Sequence, residues 1–214
     1  MNIIKFNKEI YNFLDIVSNW LNISDLSKLH NLKKYDKFKR KNDQSTDWHR
    51  LFYKKIREDK IFSITYKKFL KEIIKPRFNE DIVYQKIPTF RVHLPGNIAV
   101  GEFHKDKFYR NENWANKVKE INYFFPLTRA YGTNTIWVES REDKADFSPI
   151  EVNYGDCVEW DASNLMHGNK DNTTGETRVS FDFRIIPISR YVDSSHNTIN
   201  TSIPFSIGGY YEII

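Results

Sequence analysis

The stretch GEFHKD, residues 101 to 106, sets His104 and Asp106 two positions apart in an otherwise apolar and aromatic run. Side chains alternate faces along an extended strand, so the imidazole and the carboxylate would point the same way and Phe103 and Lys105 the other. A pair at that spacing can reach one metal ion from one strand, but the pair alone also fits a polar edge strand. A third ligand is needed, and WDASNLMHGN (160–169) supplies His167 beside a glycine. It follows the run DCVEWD, where a strand would end and its last side chain could meet another strand's pair. Two histidines and one carboxylate leave adjacent coordination positions open, which suits non-haem Fe(II) and dioxygen chemistry. A structural zinc site would be closed by a fourth protein ligand, often cysteine, and Cys157 stands alone.

The run RVSFDFR (178–184) carries the second signal. Alternation puts Arg178, Ser180, Asp182 and Arg184 on one face and Val179, Phe181 and Phe183 on the other. Such a strand would pack its aromatic face under helices and turn its polar face to a barrel interior. An arginine with a hydroxyl two residues on is shaped to grip a carboxylate through charge-assisted bonds.

These residues need elements to position them. Before about residue 80 the apolar residues recur at helical spacing: Phe6, Ile10, Phe13, Leu14, Val17 and Leu21, then Leu26, Leu29 and Leu32, then Trp48, Leu51 and Phe52. The N-terminal stretch therefore reads as a helix, with lysines and acids that separate it from a signal peptide. Ser24 and Ser45 to Asp47 are plausible caps, and Pro76 closes the last helix. Lys67, Lys68, Lys71 and Lys75 fall opposite Phe62, Tyr66, Phe69, Leu70 and Ile73, as on a solvated helix face. From about residue 83, short runs (TFRVHL, AVGEFHKD, INYFFPL, TIWVES, DCVEWD, RVSFDFRIIP) alternate with turn signals such as PGN, YGTN and NYGD. That punctuation predicts a sandwich or barrel buttressed by helices. The expected organisation is one domain: a helical segment over 1–80, a β core over 81–190 and a C-terminal extension over 191–214.

The chain has 214 residues and 40% hydrophobic content, enough to bury a core. No apolar run is long enough to span a bilayer, so no membrane partner is expected. A single cysteine excludes an intramolecular disulfide and fits a reducing cytoplasm. The formal charge is +5, concentrated early in LKKYDKFKRK (32–41) and YKKFLKEIIKPR (66–77). A basic balance bears on non-specific association, nucleic acid included, and not on fold.

In order and spacing these residues resemble the Fe(II)/2-oxoglutarate-dependent dioxygenases, whose pattern is His-x-Asp, a distal His, then Arg-x-Ser. Here it reads His104-Lys105-Asp106, His167 and Arg178-Val179-Ser180. The resemblance covers about residues 85–190 and implies a double-stranded β-helix of the jelly-roll, cupin-like kind. It implies that His104, Asp106 and His167 hold Fe(II), and that Arg178 and Ser180 bind the far carboxylate of 2-oxoglutarate. The reaction it implies uses O2, releases succinate and CO2, and hydroxylates or otherwise oxidises a bound substrate. Asn122 and Thr128 are expected to reach the cosubstrate. Arg91, His93, Glu102, Trp137, Glu139 and Arg184 are expected around substrate, and His30, His49 and His196 are read as surface residues. RVSFDFRIIP, FRVHLPGN and GEFHKD look like the bacterial branch related to a streptomycin-biosynthesis enzyme, which makes a sugar, aminocyclitol or similar small polar metabolite the expected substrate. Arg178 and Arg184 also match the Arg-x5-Arg pattern of the alkylation-repair demethylases, in which the second arginine braces the metal-binding aspartate. That keeps nucleobase demethylation as an alternative, beside a non-catalytic metal-binding cupin.

Overall fold

The computed structural model describes residues 1–37, 44, 46–100, 102–109, 112–194, 196–198 and 202–214. Ser45 as a cap, the end of the basic run (38–41) and Gly101 lie outside the described residues. The described strands are β1 (Asn2–Lys5), β2 (Ile82–Gln85), β3 (Thr89–His93), β4 (Ile121–Pro126), β5 (Trp137–Val138), β6 (Ser148–Pro149), β7 (Asp156–Trp160), β8 (His167–Gly168), β9 (Arg178–Pro187) and β10 (Tyr211–Ile213). The α-helices are α1 (Phe13–Leu21), α2 (Asp47–Glu58), α3 (Lys60–Phe69) and α4 (Glu112–Val118).

Every ladder between these strands is antiparallel. The larger sheet runs β1-β7-β4-β9-β2-β10, with β3 also on β9, and the smaller runs β6-β5-β8. The hub is β9, ten residues without glycine and rich in aromatic and β-branched side chains. It pairs with β4 on one side, and with β3 and then β2 on the other.

The alternation along β9 sets the layers. Val179, Phe181, Phe183 and Ile185 are fully buried in a cluster that includes Phe13, Val17, Phe52, Phe62 and Phe69 of the helices. Phe181 packs edge-on to Phe13 and Phe62 at 5.4 Å each and stacks on Phe125 of β4 at 4.4 Å. Aromatic pairs of this kind add about 0.5–1.5 kcal/mol each beyond the area they bury. On the sheet's opposite face Phe124, Val158 and Trp160 meet Val138, Ile150 and Val152 in a second cluster between the two sheets.

Helix limits follow local chemistry. The Thr46 hydroxyl accepts from His49 N at the start of α2, and Asp59 accepts from Ile61 N at the start of α3. Asp59 also takes the indole N–H of Trp20, tying α1 to α3. Helix α3 continues through a π-turn over Leu70–Ile74 and a 3-10 turn at Lys75–Arg77, where Pro76 ends it.

Several expectations are corrected. The start of the chain is not helical: Asn2–Lys5 is an edge strand on β7, with Ile4 inward and Ile3 exposed. Four residues with only two isoleucines cannot separate strand from helix by periodicity, and the open edge of β7 decides. Ile10 and Leu32, placed on apolar helix faces, are 49% and 52% exposed. AVGEFHKD is not a continuous strand, since His104 makes one isolated bridge and Asp106 opens a 3-10 turn through Tyr109. TIWVES contributes only Trp137–Val138. Ser148–Pro149 is a strand outside every expected run, as are Ile82–Gln85 and the C-terminal Tyr211–Ile213, which pair with each other. His49 is buried, with its Nδ1 2.7 Å from the Thr46 hydroxyl. No helix is long and apolar enough to cross a membrane among the described residues.

Candidate metal centre

His104 and His167 face each other across a single antiparallel bridge, with N–H···O bonds of 2.8 and 2.9 Å in both directions. That bridge joins the segment before the 3-10 turn to β8, which hangs on β5. Gly168 makes the approach possible: a Cβ there would lie 2.7 Å from Phe103 Cδ2 and 3.1 Å from Phe103 Cα. The turn at Asp106 then swings its carboxylate back toward both rings. So the His-x-Asp pair converges by a bridge followed by a turn, and not by the strand alternation inferred from spacing.

The ligand atoms are sorted by their hydrogen bonds. Each histidine donates Nδ1–H to a backbone carbonyl, His104 to Glu102 O and His167 to Leu165 O, both at 2.9 Å. A carbonyl can only accept, so Nδ1 of each ring carries a proton and Nε2 is the nitrogen left for a metal, the usual arrangement for a ligating imidazole. Asp106 is divided likewise. Its Oδ2 receives Arg184 Nη2 at 2.7 Å and Asn122 Nδ2 at 3.0 Å. Its Oδ1 stands 3.6 Å from His104 Nε2 and 3.8 Å from His167 Nε2. One ligand atom from each residue lies within 4.8 Å of the others, and all three residues form the metal-capable group found among the described residues. Burial lowers the His167 pKa to about 4, the Asp106 charge opposing, so the ring is neutral and able to donate at neutral pH.

These groups line a cavity of about 540 Å³ of empty space, counting its open mouth. Arg91, Ser180, Asp182 and Arg184 come to it from the large sheet, and Phe124, Ile136 and Trp160 supply apolar wall. Arg178 stacks on Phe124, its Cζ 5.4 Å from the ring centroid, and is 2% exposed. Its Nε and Nη1 have no hydrogen-bond partner, nor do Ser180 Oγ, Asn122 Oδ1 and Trp160 Nε1. Burial and the neighbouring Arg91 pull the Arg178 pKa down to about 9, and Asp182 resists. A guanidinium stays protonated there, so a buried cation faces unpaired groups. Ser180, Asn122 and Trp160 line the cavity, while Arg178 is not among its lining residues; buried polar groups are nearly always satisfied, so these open donors and acceptors suit a polar ligand.

The other expected site residues divide. Arg91 lines the cavity and pairs with Asp182 at 3.5 Å. His93 sits opposite Arg178 in the ladder, fully buried, with Nε2 donating to Asn97 O. Its pKa falls to about 3 through burial and the Arg178 charge. Asn122 reaches the cavity but spends its amide on Asp106. Thr128 does not reach it: its hydroxyl bridges Thr177 O and Val179 N. Glu102 is exposed and meets His104 through its carbonyl. Trp137 turns its indole to Gly132 O and carries Lys170 over its ring. Glu139, 2% exposed, accepts backbone N–H groups and does not line the cavity. Arg184 holds the aspartate and also contacts Gln85 and Tyr210. Sequence reasoning missed Gln85, Glu120 and Tyr210 around Arg184, because they come from elements whose pairing leaves no local pattern.

Among known proteins, streptomycin biosynthesis protein StrG of Streptomyces griseus is 38% identical over 176 residues, 82% of this chain and 80% of that protein. The chain belongs to the StrG family. No family model matches it. The StrG-family fold has a solved counterpart in the non-heme monooxygenase ThoJ in its apo form, with a TM-score of 0.51 over 91% of this chain and 75% of that one. Sequence identity there is 12%, so the likeness is one of fold.

Proposed function

We propose that this chain is an Fe(II)- and 2-oxoglutarate-dependent oxygenase acting on a small polar metabolite. The observation that carries the reading is Arg178, a buried guanidinium with two unpartnered nitrogens beside the unpartnered Ser180 hydroxyl. The donor set fits iron: two imidazoles and a single carboxylate oxygen, with no thiolate, is a set that leaves positions open for other ligands. His104 Nε2, His167 Nε2 and Asp106 Oδ1 would hold the metal. Arg178 and Ser180 would take the far carboxylate of the keto acid, with His93 behind them. Bound iron and 2-oxoglutarate would supply the oxidising power, consuming O2 and releasing succinate and CO2.

The chain's own residues do the positioning. Arg184 and Asn122 fix which aspartate oxygen faces the metal, and Phe124, Ile136 and Trp160 keep that side of the cavity dry. In this reading the two sheets form a double-stranded β-helix over 81–190, with 1–80 and 191–214 packed on it as one domain. StrG's name places that protein in streptomycin biosynthesis, which supports a sugar- or aminocyclitol-like substrate here. Asp182 and Arg91 give the cavity charge of both signs for an amine- or hydroxyl-rich molecule. A second reading, oxidative demethylation of a nucleobase, is favoured by one contact, Arg184 on Asp106.

The test is direct. Apoprotein mixed with Fe(II) and 2-oxoglutarate without oxygen should develop a visible charge-transfer band, and His167→Ala should abolish it. Succinate release stimulated by sugars or aminocyclitols, and not by methylated oligonucleotides, supports the first substrate class over the second. Absence of the band in wild type would sink the iron assignment and leave a non-catalytic metal-binding protein.

A further inference from the structure

The two segments that carry the metal-binding groups meet through one bridged pair, His104 with His167, and through main-chain bonds from Asp106 N to Ala162 O at 2.9 Å and from Lys107 N to Ser163 O at 3.4 Å. Among the described residues no continuous ladder joins them. A loop that contributes no ligand grips both segments.

Glu139 holds the His167 side. Its Oε1 accepts from Met166 N at 2.6 Å, and its own N–H donates to Met166 O at 3.1 Å, so the main chain entering His167 is fixed in both directions. Its Oε2 accepts from Ala145 N at 3.1 Å, across the loop. Lys105 holds the other side. It stands between His104 and Asp106, is 4% exposed, and donates to Asp143 at 2.7 Å and Glu142 at 3.0 Å. The loop is closed at its neck by Ser140, whose N–H and hydroxyl both bind Asp146. Phe147 meets Phe103 edge-on at 4.7 Å.

The backbone of this loop is strained. Asp143 and Ala145 have φ of 62° and 54°, the left-handed region that non-glycine residues avoid. Side-chain bonds to Lys105 and Glu139 lie at these same two residues. The acids that meet Lys105 are themselves 45% and 78% exposed, and ion pairs of that kind add little to global stability. A strained loop whose bonds end on the residues flanking three metal-binding groups is suited to position them.

We propose that residues 139–146 form a clasp that sets the geometry of the metal centre, with Glu139 and Lys105 as its positioning residues. The proposal rests on the reading of His104, Asp106 and His167 as metal ligands. Co(II) titrated calorimetrically into apoprotein tests it. Wild type should bind and His167→Ala should not; failure of wild type to bind defeats the ligand reading itself. Given binding, Glu139→Gln and Lys105→Met should each weaken Co(II) by about 10–100-fold, the range expected for groups that orient ligands. Lys105→Met should do so with the apoprotein's thermal midpoint nearly unchanged. Unaltered affinity in a folded variant of either residue overturns the clasp.

Hydrogen exchange on wild type needs no variant. Linkage is reciprocal, so Co(II) should slow exchange at the amides of Asp143 and Ala145, which touch no ligand atom. Protection confined to the segments of His104 and His167 would overturn the proposal even if both variants failed to fold.

Discussion

At the scale of single residues, the centre depends on groups that each do one thing. Arg178 Nε and Nη1 have no hydrogen-bond partner and Asp182 acts on the guanidinium only through its charge, so removal of Arg178 should read out on the keto acid alone. Arg178→Met should weaken 2-oxoglutarate by about 10–100-fold, the worth of a charge-assisted bond of roughly 1.5–3 kcal/mol. Co(II) affinity measured without the keto acid should stay within a few-fold of wild type. Gly168 is a steric requirement. Gly168→Ala forces a methyl against Phe103, and overpacking of this kind costs about 1–3 kcal/mol. Because Phe103 adjoins His104, that variant should lose Co(II) affinity as well as stability, and a calorimetric titration beside an unfolding curve separates the two. These residues were legible to different degrees. His104, Asp106, His167, Arg178 and Ser180 stand out because their types and spacing carry chemistry. Glu139 was placed at substrate and instead binds backbone, because nothing in TIWVES encodes the loop that folds onto it.

At the scale of elements, β9 was the most legible part of the chain. Its alternation alone assigned the helix-facing aromatics and the cavity-facing polar residues, since a side-chain period of two admits one register once a face is buried. Phe181→Ala should therefore cost about 3–5 kcal/mol in urea unfolding, the range for emptying a fully buried aromatic site. The two edge strands were illegible for the opposite reason. β1 and β10 are short, and their identity is fixed by the partner they find.

β10 also carries a pH dependence. Burial pushes the Glu212 carboxyl up, but Lys67, Tyr84 and Lys86 outweigh it and hold it at about 2. A carboxyl depressed on folding stabilises the protein above its unfolded value of about 4.3, and that contribution fades as pH falls toward the folded value. Glu212→Gln should thus be less stable than wild type at neutral pH and converge with it only as pH falls to about 2. Parallel urea melts across that range, with no convergence, would remove Glu212 from the acid response.

At the scale of the whole molecule, the question is whether a charge of +5 marks a nucleic-acid surface. Much of the basic charge is already spent locally. Lys5 pairs with Asp156, Lys28 with Glu176, Lys67 with Glu212, Lys75 with Asp81 and Arg77 with Glu159, spread over α3, the sheet edges and the loops. Lys105 and Lys107 are turned onto the acids of the 139–146 loop. A duplex-binding enzyme instead concentrates unpaired cations along one track, and each phosphate neutralised steepens the fall of affinity with salt. The charged residues that line the cavity instead come as mixed pairs, Arg91 with Asp182 and Arg184 with Asp106. Binding to a duplex oligonucleotide should therefore be weak at 150 mM salt, about 10⁻⁴ M or weaker, the non-specific range. A plot of log affinity against log salt should give a slope shallower than about −3. Tight binding with a slope near −6 would mean several phosphate contacts, and would turn the Arg184–Asp106 contact from a shared structural brace into a pointer toward nucleobase chemistry.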